Sequence, residues 1–281
     1  MIETRNLTFG YKGQDRKVFV HLDLEIAENS IYGLLGQNGA GKTTLLALMN
    51  GLYRPTVDDL GNVGEVLIDG ENIAERQIST LEKIYFLPDE FELPEVSLKQ
   101  YLGMRSGFYR DFSYEMMQNN LREFGISEGV VLNRLSLGQR KKVMISFALA
   151  TRCKILMMDE PTNGLDIPSK SIFRKMVARC MGEDQTIIIS THQVHDVESM
   201  LDHIIVLDNG QILLDTSTVN ITDHYCFSYR QPGELDGVVY KEPSLQGYIT
   251  MSERKSGDEE TQLNLELLFN ALTRERITLK L

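Results

Sequence analysis

Between Val20 and Ile26 the apolar residues Val20, Leu22, Leu24 and Ile26 alternate with His21, Asp23 and Glu25. A period of two is the mark of a half-buried strand, so an antiparallel β region is expected to open the chain. Ile31 to Leu35 is a short apolar run that meets glycines, and Leu45, Leu48, Met49 and Leu52 then recur at helical spacing until Gly51 and Pro55. This predicts strand, loop and helix. Two later apolar strands, Ile155 to Met158 and Ile187 to Ser190, flank Ser169 to Met181, where Ile172, Met176 and Val177 mark a helix. Such alternation favours parallel strands with crossover helices.

From Pro88 to Leu135 the pattern turns mostly helical, with Met116 to Phe124 as its clearest amphipathic stretch. A helical insertion over about 88–153 is expected. Asn209-Gly210, between Ile204 to Leu207 and Gln211 to Leu214, is a strong hairpin signal and is expected to close a main unit over 1–215. Beyond Thr216 the chain becomes polar, with Pro232-Gly233 and the charged run Ser256 to Glu260, before Leu263, Leu267, Leu268 and Leu272. Residues 216–281 read as a small C-terminal accessory region. No internal repeat is visible.

The longest apolar runs fall far short of the roughly 18 to 20 residues that span a bilayer. Met1 to Arg5 lead into a turn-rich segment without a signal peptide's apolar stretch, so a cytoplasmic location is the default. Cys153, Cys180 and Cys226 are too scattered for a disulfide framework or a zinc site and read as ordinary buried thiols. With 29 basic and 40 acidic residues the net charge is −11, which repels nucleic acid over most of the surface. Arg140-Lys141-Lys142 reads as a solvated helix face rather than a nucleic-acid patch.

Gly36-Gln37-Asn38-Gly39-Ala40-Gly41-Lys42-Thr43 matches the phosphate-loop pattern and lies between the predicted strand and helix, where its mechanism requires. Glycines let the backbone fold so that N–H groups and the helix N-terminus point at the β- and γ-phosphates of a nucleoside triphosphate. Lys42 adds a point charge, and the Thr43 hydroxyl is a candidate magnesium ligand. Ile155 to Met158 runs into Asp159 and Glu160. Asp159 is placed to hold magnesium through a coordinated water, and Glu160 to act as general base on the attacking water. The fold class expected is α/β: a phosphate-loop NTPase core with an N-terminal antiparallel β region, a helical insertion and a small C-terminal appendage.

Leu135-Ser136-Leu137-Gly138-Gln139 lies 20 residues ahead of Asp159 and resembles the signature motif of ABC ATPases. Pro161-Thr162-Asn163-Gly164-Leu165-Asp166 looks like the family's D-loop, and Ser190-Thr191-His192 like its switch histidine. The resemblance covers Met1 to about Asp215. It implies a dimer, of two copies or of this chain and a homologous ATPase subunit, that sandwiches two ATP molecules. Ser136, Gly138 and Gln139 of one subunit would face the γ-phosphate held by Lys42 of the other, with Asp166 at the same interface. Gly36, Asn38, Gly39, Ala40, Gly41, Thr43 and Thr44 would line the nucleotide, and His192 would hold the attacking water at the γ-phosphate. Ser136 also reads as a plain helix N-cap, and His195 as structural. Tyr11 lies where the family places an adenine-stacking ring, a contact worth roughly 1 to 3 kcal/mol; the alternative is an ordinary turn tyrosine between Gly10 and Gly13.

Asp89 stands where the family usually has a glutamine, and a carboxylate accepts from a magnesium-bound water but cannot donate as an amide does. It is the third candidate on the metal side. Leu137 replaces a frequent glycine, which is tolerable if its side chain points away from nucleotide. Val57 to Gly64 lengthen the connection after Pro55. The resemblance implies an ATPase that powers a transporter from the inner face of the membrane through separate integral membrane permease subunits. Phe108 to Phe112, Asp89 and the C-terminal appendage look most like bacterial exporter ATPases for antimicrobial peptides, drugs or envelope components. The competing class, a soluble ABC ATPase acting on nucleic acid or ribosomes, is disfavoured by the acidic charge, the single cassette and the lack of a long coiled coil.

Overall fold

The structure, a computed structural model, describes residues 1–255 and 257–281, so Ser256 of the charged run lies outside the described residues. The chain opens with β1 (Ile2–Gly10) and β2 (Lys17–Ile26), which pair antiparallel. Leu22, Leu24 and Ile26 are buried as their alternation predicts, but Val20 is 52% exposed and Phe19 is buried instead. The positive φ of His21 and the register shifts beside it break the alternation, which reverses the inward face. After β3 (Ile31–Leu35) and α1 (Lys42–Met49), β4 (Glu65–Ile68) and β5 (Glu71–Asn72) complete a sheet of order β2-β1-β4-β5. Leu52 falls past the end of α1 and is exposed, because Gly51 at φ +73 has already turned the chain.

A short α2 (Ile78–Leu81) leads into β6 (Ile84–Leu87), and α3 (Leu98–Arg105), α4 (Tyr114–Glu123) and α5 (Leu137–Ala150) follow. These helices form the insertion expected after Pro88. Then come β7 (Ile155–Asp159), α6 (Ile167–Cys180), β8 (Thr186–Thr191), β9 (His203–Asp208) and β10 (Gln211–Ser217). The central sheet has the order β10-β9-β3-β8-β7-β6, parallel throughout except for β10. Asn209 (φ 49) and Gly210 (φ 77) make the predicted tight turn between β9 and β10.

The parallel strands are buried on both faces, and their side chains divide with a period of two. Tyr32, Leu34, Ile155, Met157, Ile188, Ile205 and Leu207 pack with Leu45 and Leu48 of α1 and with the N-terminal sheet. Ile31, Leu35, Leu156, Met158, Ile187, Ile189, Ile204 and Val206 pack on the other side with the helical insertion, α6 and the C-terminal region. Burial of each such Leu, Ile or Phe stabilises the fold by about 1.5–3 kcal/mol. The C-terminal residues form α7 (Thr218–His224), a sheet of β11 (Tyr225–Arg230), β12 (Val238–Ser244) and β13 (Gly247–Glu253), and α8 (Leu265–Thr273). Leu265, Leu267, Leu268 and Leu272 are buried in the core shared with Val194, Val197 and Leu201, so the polar tail carries one apolar helix that docks on the segment after His192. Among the described residues no helix is long and apolar enough to cross a membrane.

Candidate nucleotide site

Three neighbouring strands, β3, β8 and β7, end at the same edge of the central sheet, and their first residues beyond or last residues within it carry the candidate chemistry. Parallel strands place their carboxyl ends together, which is where open α/β sheets bind ligands. Gly36 follows β3 directly. A side chain there is excluded, because a Cβ would lie 2.5 Å from the carbonyl oxygen of Leu207. At Gly41 a Cβ would meet the Phe19 ring at 2.9 Å with φ at +110, so the turn into α1 also needs glycine. Gly41 offers no capping side chain, and the orphan N–H groups of the first turn of α1 are thereby left for a ligand.

Lys42 is buried, and its Nζ donates to the carbonyls of Gly36 at 2.8 Å and Gln37 at 3.3 Å. The same ammonium lies 3.4 Å from Glu160 Oε1. Thr43, exposed, donates from Oγ1 to Asp159 Oδ2 at 2.6 Å, and Ser190 Oγ donates to the other oxygen of Asp159. Glu160 is anchored on every side: its N–H donates to Ser190 O at 3.0 Å, Thr191 Oγ1 donates to Oε2 at 3.1 Å, and His192 Nδ1 is 2.8 Å from Oε1. Glu160 also holds a left-handed backbone (φ 43), a strained conformation for a residue with a side chain, costing about 1–3 kcal/mol. Its carboxylate reaches Thr191 and His192 at the end of β8 and Lys42 at the start of α1.

These groups open on a cavity of about 470 Å³ lined by Tyr11, Asn38, Gly39, Ala40, Gly41, Lys42, Thr43, Thr44, Asp89, Asp159 and Glu160. Tyr11 is half-buried; its hydroxyl is 2.7 Å from Thr44 Oγ1 and its ring packs edge-on against Phe9 and Tyr53. Gln14, Arg16, Lys17 and Val18 complete the lining without any motif to mark them, together with Asn209 and Gly210, which the sequence marks only as a hairpin turn. Arg16 donates to Asn209 Oδ1 at 3.3 Å, and Gly210 is pressed so close to Val18 that a Cβ would fall 1.8 Å from its carbonyl oxygen. The hairpin glycine was legible as a turn; its contact with Val18 of the N-terminal sheet was not.

His192 reaches the site through Glu160 and sits beside Gln37 and Asn38 in an adjoining depression. Ser136, Gly138, Gln139 and Asp166 do not line the cavity. Ser136 caps α5 in a full capping box with Gln139, both residues exposed, while Leu137 is 68% exposed and points away from the helix packing. Asp166 caps α6 through Ser169 N at 2.8 Å, and this hydrogen bonding with Ser169 lowers its pKa. Gly138 and Gly164 are close, since a Cβ on Gly138 would lie 3.1 Å from Gly164 O.

The basic run of α5 is not a solvated face. Lys141 is buried and bonded to Asp89, and Arg140 donates to the carbonyls of Leu135 at 2.9 Å and Asn133 at 2.6 Å. Helical spacing turned the middle residue inward, and only the partner on the loop after β6 shows why a lysine is tolerated there. His195 is exposed and pairs with Glu266 of α8. All three cysteines are free and buried, and burial pushes the Cys153 thiol up to about 11.

Comparison with known proteins agrees with this geometry. Residues 19–163 match the family model described as ABC transporter. The chain is 30% identical over 213 residues to the ABC transporter ATP-binding protein NatA of Bacillus subtilis, covering 71% of this chain and 83% of that protein. It is 28% identical over 221 residues to the SkfA peptide export ATP-binding protein SkfE of the same organism, covering 76% and 88%. Its fold is similar to the dimeric ATP-binding cassette MJ0796 bound to ADP and Pi, with a TM-score of 0.65 at 24% identity over 77% of this chain and 98% of that one. The match over half the chain, with a phosphate loop, an acidic strand end and a histidine on adjacent strands, establishes that this chain belongs to the ABC transporter family as an ATP-binding member.

Proposed function

We propose that this chain binds ATP with magnesium in the cavity at Gly36 to Thr44, hydrolyses it, and powers export through separate integral membrane subunits. The observation that carries the reading is the clamp on Glu160. A carboxylate fixed by Thr191, His192 and Lys42 beside the phosphate loop is placed to take a proton from water attacking the γ-phosphate. His192, through the same hydrogen bond, orients that base and faces the γ-phosphate. Lys42 and the N–H groups of α1 hold the phosphates, and phosphates entering the cavity replace the loop carbonyls as partners of Lys42. Tyr11 stacks on adenine.

Among the described residues no group of three or more His, Cys, Asp or Glu side chains is arranged to hold a metal ion. Thr43 Oγ1, 2.6 Å from Asp159 Oδ2, is nevertheless a hard oxygen donor of the kind magnesium takes; Thr43 would ligate the ion directly and Asp159 would hold it through a coordinated water. Asp89, which also lines the cavity, would face the metal's water shell. An ion held there would supply positive charge against the developing negative charge of phosphoryl transfer.

The exposed Ser136 and Gln139, outside their own chain's cavity, fit the completion of a second subunit's site, with Asp166 and Gly138 at the same face. The partner is a second copy or a homologous ATPase subunit. Residues 1–215 are the ATPase unit, with about 88–153 inserted, and 216–281 are the accessory region. The chain works at the cytoplasmic face of the membrane, held there by its permease partners, and does not act on nucleic acid. SkfE's name supports export.

Phosphate release from the purified chain with ATP and magnesium tests the chemistry, and Lys42→Ala is expected to abolish nucleotide binding. Co-purification with a polytopic membrane protein from detergent extracts tests the transport assignment. Absence of any such partner overturns it, and loss of substrate uptake rather than efflux in cells lacking the chain overturns export.

A further inference from the structure

Lys141 is a lysine at 2% exposure in the helix that begins at Ser136, 52 residues from its counterion in sequence. Its Nζ donates to Asp89 Oδ1 at 2.7 Å and to the main-chain carbonyl of Asp89 at 2.9 Å. The ammonium also lies 5.9 Å from the centre of the Phe91 ring. Asn163, on the loop that follows Glu160, donates to Asp89 Oδ2 at 3.3 Å. Asp89 is thus tied at once to α5 and to the loop after β7, while one side of it still lines the nucleotide cavity. Burying a lysine costs several kcal/mol unless it is paired and hydrogen-bonded, so the position of Lys141 depends on Asp89.

We propose that Lys141 is a positioning residue whose charge makes the aspartate at position 89 compatible with a bound triphosphate. Asp89, Asp159 and Glu160 place three carboxylates in the lining of a cavity that must receive an anion. Glu160 is neutralised by Lys42. Asp159 has the hydroxyls of Thr43 and Ser190 as partners. Asp89 takes its cation from the helical insertion. A lysine contacting both the carboxylate and the carbonyl of one residue fixes its backbone as well as its charge, so the loop after β6 is tied to the helix behind Ser136. A neutral amide at position 89 would need no such cation; the lysine and the aspartate act as a unit.

The inference rests on the nucleotide reading of the cavity, and its test separates the two. The full chain, Lys141→Met, and the double variant Lys141→Met/Asp89→Asn are titrated calorimetrically with ATP and with ADP in buffer containing EDTA. Without metal no hydrolysis intervenes and any role of Asp89 toward magnesium drops out. Methionine conserves the volume of the buried stem. Lys141→Met exposes the phosphates to an uncompensated carboxylate and is expected to weaken ATP about tenfold, and ADP less because it lacks the γ-phosphate charge. The double variant removes the carboxylate's charge and is expected to return ATP affinity to within about threefold of the unmutated chain. A lysine that merely supports packing would not be rescued by Asp89→Asn. Equal ATP affinity in Lys141→Met, or no recovery in the double variant, overturns the inference; failure of the unmutated chain to bind either nucleotide overturns the site reading instead. If Lys141→Met does not fold, Lys141→Gln, with and without Asp89→Asn, takes its place with the same expected pattern.

Discussion

The hydroxyl of Thr43 donates a 2.6 Å hydrogen bond to Asp159 Oδ2, closing a separation of 116 residues along the chain. It joins the start of α1 to the end of β7 across the mouth of the nucleotide cavity. Both oxygens face the space that phosphates and a metal would share.

Thr43→Val removes the hydroxyl and keeps the shape. It is expected to lower ATP affinity in magnesium about tenfold, the scale of one lost contact involving a charged group, while affinity in EDTA changes far less. Buried Asp159 also loses a hydrogen-bond donor, so the melting temperature should fall as well, and the metal role is read from the difference between the two buffers. Calorimetric titration in the two buffers checks this, and an equal loss in both would detach Thr43 from the metal.

Glu160→Gln keeps the size of the side chain and removes the base. The rate of ATP hydrolysis is expected to fall about 100-fold to 1,000-fold with ATP still bound. On the proposed dimeric reading, in which ATP closes the pair and hydrolysis releases it, this variant should elute as an ATP-dependent dimer in size-exclusion chromatography. A variant hydrolysing ATP at the unmutated rate removes Glu160 from the mechanism.

Gly210→Ala tests the part of the site that sequence motifs do not mark. Its Cβ would fall 1.8 Å from Val18 O at a backbone φ of +77, so the turn or the strand must move. The expected cost is at least about 2 kcal/mol of stability, with weaker nucleotide binding because Val18 and Asn209 line the cavity. Urea unfolding and ATP titration of the same preparation check both.

Asp58 gives the fold one acid-sensitive point away from the candidate catalytic groups. The hydrogen bond from Asn62 N, together with Asn6 Nδ2 and Leu60 N, lowers its pKa from 3.8 to about 2. A lowered carboxylate stabilises the folded state fully above its unfolded value and loses that contribution as pH falls through the folded one. Asp58→Ala should therefore destabilise the protein at neutral pH, and the difference from the unmutated chain should shrink between about pH 4 and pH 2. Thermal unfolding followed across that range decides it. The loop 57–64, longer than the family pattern leads one to expect, is organised around this carboxylate.

The phosphate loop, the acidic end of β7, the helix N-cap at Ser136 and the Asn209-Gly210 turn could all be read from the chain, because each depends on residue types at fixed short spacing. The parallel strands were equally legible, since burial on both faces demands unbroken apolar runs such as Ile187 to Ile189. Sequence also implied that Ser136 and His192 belong with Lys42, through family resemblance rather than through any local rule.

What only tertiary structure decided is which strand ends meet and what each charge faces. Strand β8 comes after β7 in the chain yet lies between β3 and β7 in the sheet, and that insertion brings His192 onto Glu160. The left-handed residue at His21 reverses the inward face of β2, which alternation cannot foresee because a single backbone angle resets the period. Lys141 looked like one member of a basic surface run until the fold set Asp89 against it. Spacing determines which residues share an element; the partner that makes a buried charge tolerable comes from a distant segment, and only packing brings it there.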